Sequence, residues 1–86
     1  MPIIARFHGI SIRMFFQQTE HTPPHLHVSY GDNVAAVDIR TGSMMEGYLP
    51  PRELQTIQAW VLVYKQELLR MWDTQHFTQL PPLERN

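Results

Sequence analysis

The sequence predicts an α+β domain: an antiparallel β-sheet of about four to five short strands followed by one long C-terminal helix packed on one face. Two observations carry this expectation. Apolar residues recur with period two over roughly the first fifty positions and then switch to a spacing near 3.6. Glycine and proline cluster between the period-two runs and are missing from the helical one.

The strands follow in order. Ile3–Phe7 is a short apolar run, and Gly9 marks the turn after it. Ile10, Ile12, Met14 and Phe16 then alternate with Ser11, Arg13 and Phe15, the pattern of a strand with one face buried. Gln17–Pro24 is a polar loop ending in two prolines. His25–Tyr30 and Val34–Ile39 flank Gly31-Asp32-Asn33 as the arms of a hairpin. Thr41-Gly42-Ser43 breaks the chain again, and Met44–Leu49 completes the strand region, which spans about residues 3–49.

Pro50-Pro51 opens the helix, where the missing proline N–H would have no intrahelical partner in any case. Leu54, Ile57, Val61, Tyr64, Leu68 and Trp72 form one stripe, flanked by Trp60 and Met71. The helix should run over about 51–73, and the tail should be flexible over about 80–86. Leu62 and Leu69, one heptad apart, fall off the main stripe, and Val63 lies on the far side. Single exposed apolar residues are ordinary on any protein. A contiguous patch would instead be a partner-binding surface, and Leu62, Leu69 and Val63 are its candidates.

The chain has 86 residues, enough for a single domain. Its 43% hydrophobic and 17% charged content is that of a globular protein. A net charge of -1 with the five histidines neutral leaves a nucleic-acid target open but does not favour one, because phosphate contacts call for a basic excess. With no cysteine there is no disulfide, thiolate zinc site or cysteine nucleophile. No run is long and apolar enough to span a bilayer, and Met1–Arg6 does not read as a secretory signal, so the expected location is the cytoplasm with no membrane association. No phosphate-cradling glycine loop, serine elbow or nucleotide fingerprint is present.

The chemistry-bearing stretch is His21-Thr22-Pro23-Pro24-His25-Leu26-His27-Val28. Strand alternation puts Leu26, Val28 and Tyr30 on the face toward the helix, with His25, His27 and Ser29 on the other. The same logic turns Arg6 and Arg13 outward. Three uses of such a cluster stay open. His21, His25 and His27 could ligate a metal such as zinc, although no cofactor is the default expectation. A histidine could move protons at a phosphodiester while Arg6 or Arg13 steadies its oxygens, which makes His21, His25, His27, Arg6 and Arg13 the candidate catalytic set. The more ordinary use is structural or recognition, with Pro23-Pro24 stiffening the loop and the imidazoles hydrogen-bonding backbone or a partner. Asp38 and Glu46 read as solvated surface charge.

Several segments together resemble a known bacterial family. They are Ile4-Ala5-Arg6-Phe7-His8-Gly9-Ile10, the Pro23-Pro24-His25-Leu26-His27-Val28 element, Tyr30-Gly31, Gly42 to Pro50, and Met71-Trp72. The family is the small bacterial domain of unknown function 4160. Thr22 stands where the family usually has asparagine, and Leu26 where it usually has an aromatic residue. Family members are frequently encoded beside a second small protein, in arrangements like toxin–antitoxin pairs. The resemblance therefore implies a toxin-like component of a type II toxin–antitoxin module, whose partner is a small cognate antitoxin. A hydrolase or a non-enzymatic interaction module are the alternatives it leaves.

Overall fold

In a computed structural model, which describes residues 3–14 and 23–83, the chain forms a five-stranded antiparallel sheet and one C-terminal helix. The strands are β1 (Ile3–Phe7), β2 (Ile10–Arg13), β3 (His25–Tyr30), β4 (Asn33–Asp38) and β5 (Met44–Gly47). They lie in the order β1-β2-β3-β4-β5, a meander in which every strand pairs with its sequence neighbour. Such a sheet has two faces and two edges to satisfy, and different parts of the chain serve them.

The helix α1 (Pro51–Thr74) covers one face. Ile57, Trp60, Val61, Leu68, Met71 and Trp72 pack with Ile10, Ile12, Leu26, Val28, Ala35 and Val37 in one core. Each fully buried aliphatic or aromatic side chain in such a core is worth about 1.5–3 kcal/mol over its exposed state. Helical geometry lapses at Tyr64 (φ -107°, ψ 19°), so α1 is two helical segments joined at a kink, with the Tyr64 ring 5.4 Å from that of Trp60.

The alternation expected for β2 holds through Met14, which is fully buried; Phe15 and Phe16 lie outside the described residues. β5 ends two residues earlier than expected, at Gly47. There the chain takes φ +80°, and a Cβ would overlap the Val34 carbonyl oxygen and sit 2.8 Å from the Ala35 Cα. Only glycine allows β5 to lie that close to β4 at this point. Beyond it, the Tyr48 N–H donates to Val34 O at 3.2 Å.

The tail departs from expectation. The expected flexible tail spans about 80–86; residues 80–83 are instead docked on the rest of the molecule, with Leu80 on β1, and residues 84–86 lie outside the described residues. The Leu80 N–H donates to Ile4 O at 2.7 Å, and the Trp60 indole N–H donates to Pro81 O at 2.9 Å. Phe77, Leu80 and Leu83 add partly buried side chains to the core. The physical reason is that β1 is an edge strand with unpaired backbone groups, and a buried indole N–H needs an acceptor. Among the described residues no helix is long and apolar enough to cross a membrane.

Candidate functional site

The face of the sheet away from α1 is built by alternation. From β1 and β2 come Arg6, Ser11 and Arg13; from β3, His27 and Ser29; from β4, Val34, Ala36 and Asp38; from β5, Glu46. Register then sorts them into rows. Arg13 pairs with His27, His27 with Ala36, and Ala36 with Glu46, so these four form one line across β2 to β5. A second line runs Arg6, Ser11, Ser29, Val34. His25 and Asp38 start a third at the rim.

Ala36 gives the first line a low floor. It is only 8% exposed, between the half-buried His27 and the exposed Glu46. The charges are segregated: arginines stand on the β1–β2 side and carboxylates on the β4–β5 side.

His27 is held below the ordinary imidazole pKa of 6.5. Burial is the main cause and the neighbouring His25 adds to it, while Glu46 pulls the other way. Its surroundings therefore favour the neutral imidazole.

His25 corrects the expectation that both imidazoles point cleanly away from the helix. Its ring lies 5.1 Å from His27 but also 5.2 Å from Trp72 of α1. A helix of 24 residues is about 36 Å long, against about 20 Å for a six-residue strand. Its last turn therefore reaches the rim, where β3 begins. The His25 Nδ1–H donates to Pro23 O at 2.8 Å, which in the neutral ring makes Nε2 the acceptor nitrogen. This is the orientation in which backbone carbonyls commonly hold metal-ligating or base histidines.

Of the candidate catalytic set, the structure brings His25, His27 and Arg13 together, while Arg6 stands one row away on β1. His21 lies outside the described residues. Among the described residues no cluster of three or more His, Cys, Asp or Glu side chains could hold a metal ion. Sequence reasoning passed over Ala36 and read Glu46 only as solvated surface charge. The alternation of β4 and β5 was the available signal, but their place opposite His27 depends on register.

The partner candidates on the helix separate. Leu62 and Val63 are 76% and 60% exposed. Leu69 is half-buried and packs against the core, so it does not continue a stripe from Leu62. Leu62 also lines a cavity of about 160 Å³ with Arg40, Thr41, Gln58 and Lys65, beside the turn after β4.

The chain matches the family model described as Domain of unknown function (DUF4160) over residues 9–73. That span covers most of the molecule, from the β1–β2 turn to the end of α1, and the chain belongs to this family. No curated protein and no solved structure matches it.

Proposed function

We propose that this member of the DUF4160 family is a toxin-like component of a bacterial type II toxin–antitoxin module, binding a small cognate antitoxin and acting on a cellular target. The observation that carries this reading is the adjacent pair Leu62 and Val63, two large apolar side chains turned to solvent on the one helix that covers the core. Exposed apolar patches beside a groove are where partner chains commonly dock. The gene-pair arrangement implied by the family resemblance points the same way, and the cytoplasm is the compartment in which such a pair would meet.

The test is growth. Expression of the chain alone should slow it, and co-expression of the small protein from the adjoining gene should relieve the effect. Leu62→Glu with Val63→Glu should abolish the relief and leave the slowing intact. Normal soluble expression without any growth defect would sink the reading.

A second reading places hydrolysis of a phosphodiester at His27, with Arg13 holding the charged oxygens. The lowered pKa of His27 and the His25 ring held beside it by Pro23 O favour it. His27→Gln would then remove toxicity while antitoxin binding persisted. Unchanged toxicity in that variant would leave recognition as the use of the site. Zinc held by His25 and His27 with His21 is the metal form of this reading. Metal content of the purified chain, lost on His25→Ala or His27→Ala, would support it; metal-free protein with full toxicity would not.

A further inference from the structure

We propose that the sheet face opposite α1, open among the described residues, is a docking surface for a second copy of this chain, the two sheets packing face to face about a twofold axis parallel to the strands between β3 and β4. The composition of the first row leads there. Arg13 is on β2, His27 on β3, Ala36 on β4 and Glu46 on β5, all in one line. A twofold axis between β3 and β4 exchanges β2 with β5 and β3 with β4. It therefore sets Arg13 of each copy over Glu46 of the other, and the His27 ring of each over the low Ala36 floor of the other. A cation meets an anion twice, and a large side chain meets a small one twice. A row with like charges at both ends, or with two large side chains at its centre, would not be self-complementary under this operation.

The neighbouring row agrees. The same axis sets Ser29 over Val34, which is 57% exposed on this face. β1 and the tail docked along it overhang the shared area. Arg13 and Glu46 stand three strand spacings apart, about 14 Å, too far to satisfy one another within a single chain. The carboxylates on this face also argue against a polyanion as its occupant. Isologous pairing of this kind is the commonest form of symmetric association, and stacked sheets sit about 10 Å apart with their strands about 30° from parallel.

The area sets the strength. Strands of four to six residues, about 13–20 Å long and about 4.8 Å apart, give a face of about 400 Å² per copy, in the range of weak, transient association. A reversible dimer, populated at micromolar or higher concentration, is the expected species.

The test uses the full chain in sedimentation equilibrium, with circular dichroism to establish folding. The wild-type mass should rise with concentration from 10.1 kDa toward twice that value. Arg13→Glu alone and Glu46→Arg alone each place like charges in contact twice, and each should weaken self-association about tenfold or more. An equimolar mixture of these two variants should recover the dimer. In the mixed pair, both contacts between position 13 of one copy and position 46 of the other again join opposite charges. The double variant should dimerise by itself for the same reason. Three results would overturn the proposal: a wild type that stays monomeric at millimolar concentration, single reversals that associate as the wild type does, or a mixture of folded variants that fails to associate. Self-association lost on Leu62→Glu but kept on Arg13→Glu would likewise overturn it, by placing the contact on α1. None of these outcomes bears on growth inhibition, so this face and the toxin reading are tested separately.

Discussion

Replacing Gly47 with alanine isolates what the close approach of β5 to β4 is worth, and Gly31→Ala is its control. Both glycines have positive φ, +80° at Gly47 and +59° at Gly31. A left-handed conformation costs an L-residue about 1–2 kcal/mol, so both substitutions carry that cost. The surroundings differ. Nothing lies within 4 Å of a Cβ at Gly31, whereas one at Gly47 would overlap the Val34 carbonyl oxygen and meet the Ala35 Cα at 2.8 Å. Those atoms are backbone, so no side-chain rotation relieves the overlap. β5 must lift away, which loses the Tyr48 N–H bond to Val34 O and loosens the pairing of Ala36 with Glu46. At about 1 kcal/mol net for each backbone hydrogen bond given up, Gly47→Ala should cost about 2–4 kcal/mol in total. Urea unfolding followed by tryptophan fluorescence measures the difference, and amide exchange at Tyr48 reports the lifted strand. If the two variants unfold within about 0.5 kcal/mol of each other, backbone crowding at Gly47 is not what positions β5.

Three further outcomes follow from the same structure. Trp60→Phe removes the indole N–H from Pro81 O and leaves a void in a fully buried position, so it should cost about 2 kcal/mol in urea unfolding. It should also speed proteolysis between Gln75 and Leu83. Because burial lowers the His27 pKa below 6.5, the unfolded chain binds a proton there that the folded chain gives up. That contribution to stability is fully present above pH 6.5 and is lost as pH falls from there through the folded pKa. Urea midpoints should therefore fall less between about pH 7.5 and about pH 5 in His27→Gln than in the wild type; an unchanged difference would place the pH dependence elsewhere. Leu68→Ala, at a fully buried position beyond the kink, should cost about 2–5 kcal/mol, while Leu62→Ala, at the most exposed large apolar position on the helix, should stay within about 0.5 kcal/mol of the wild type.

Local pattern accounts for much of this fold because its contacts are largely between sequence neighbours. A meander pairs each strand with the next, so period-two alternation and the intervening turns at Gly9 and Gly31-Asp32 sufficed to place the strands and assign their faces. The 3.6-residue stripe from Leu54 to Trp72 did the same for α1. The polar character of the outer face, with His27 and Arg13 on it, was legible for the same reason.

Other features depended on which distant residues meet. Alternation states that Arg13, His27, Ala36 and Glu46 share a face, but only the ladder register puts them in one line with opposite charges at its ends. The length of α1 relative to the strands carries Trp72 to the rim and draws His25 against it, which no period reveals. The tail has no helical or strand pattern to announce it. It is docked because Trp60, twenty-one residues away, and the edge of β1 each need a hydrogen-bond partner. The sequence alone determined the elements and their faces, since those follow from steric and solvation preferences a few residues long. The tertiary structure decided register, edge protection and the composition of the candidate site, since those depend on atoms the chain brings together only when it folds.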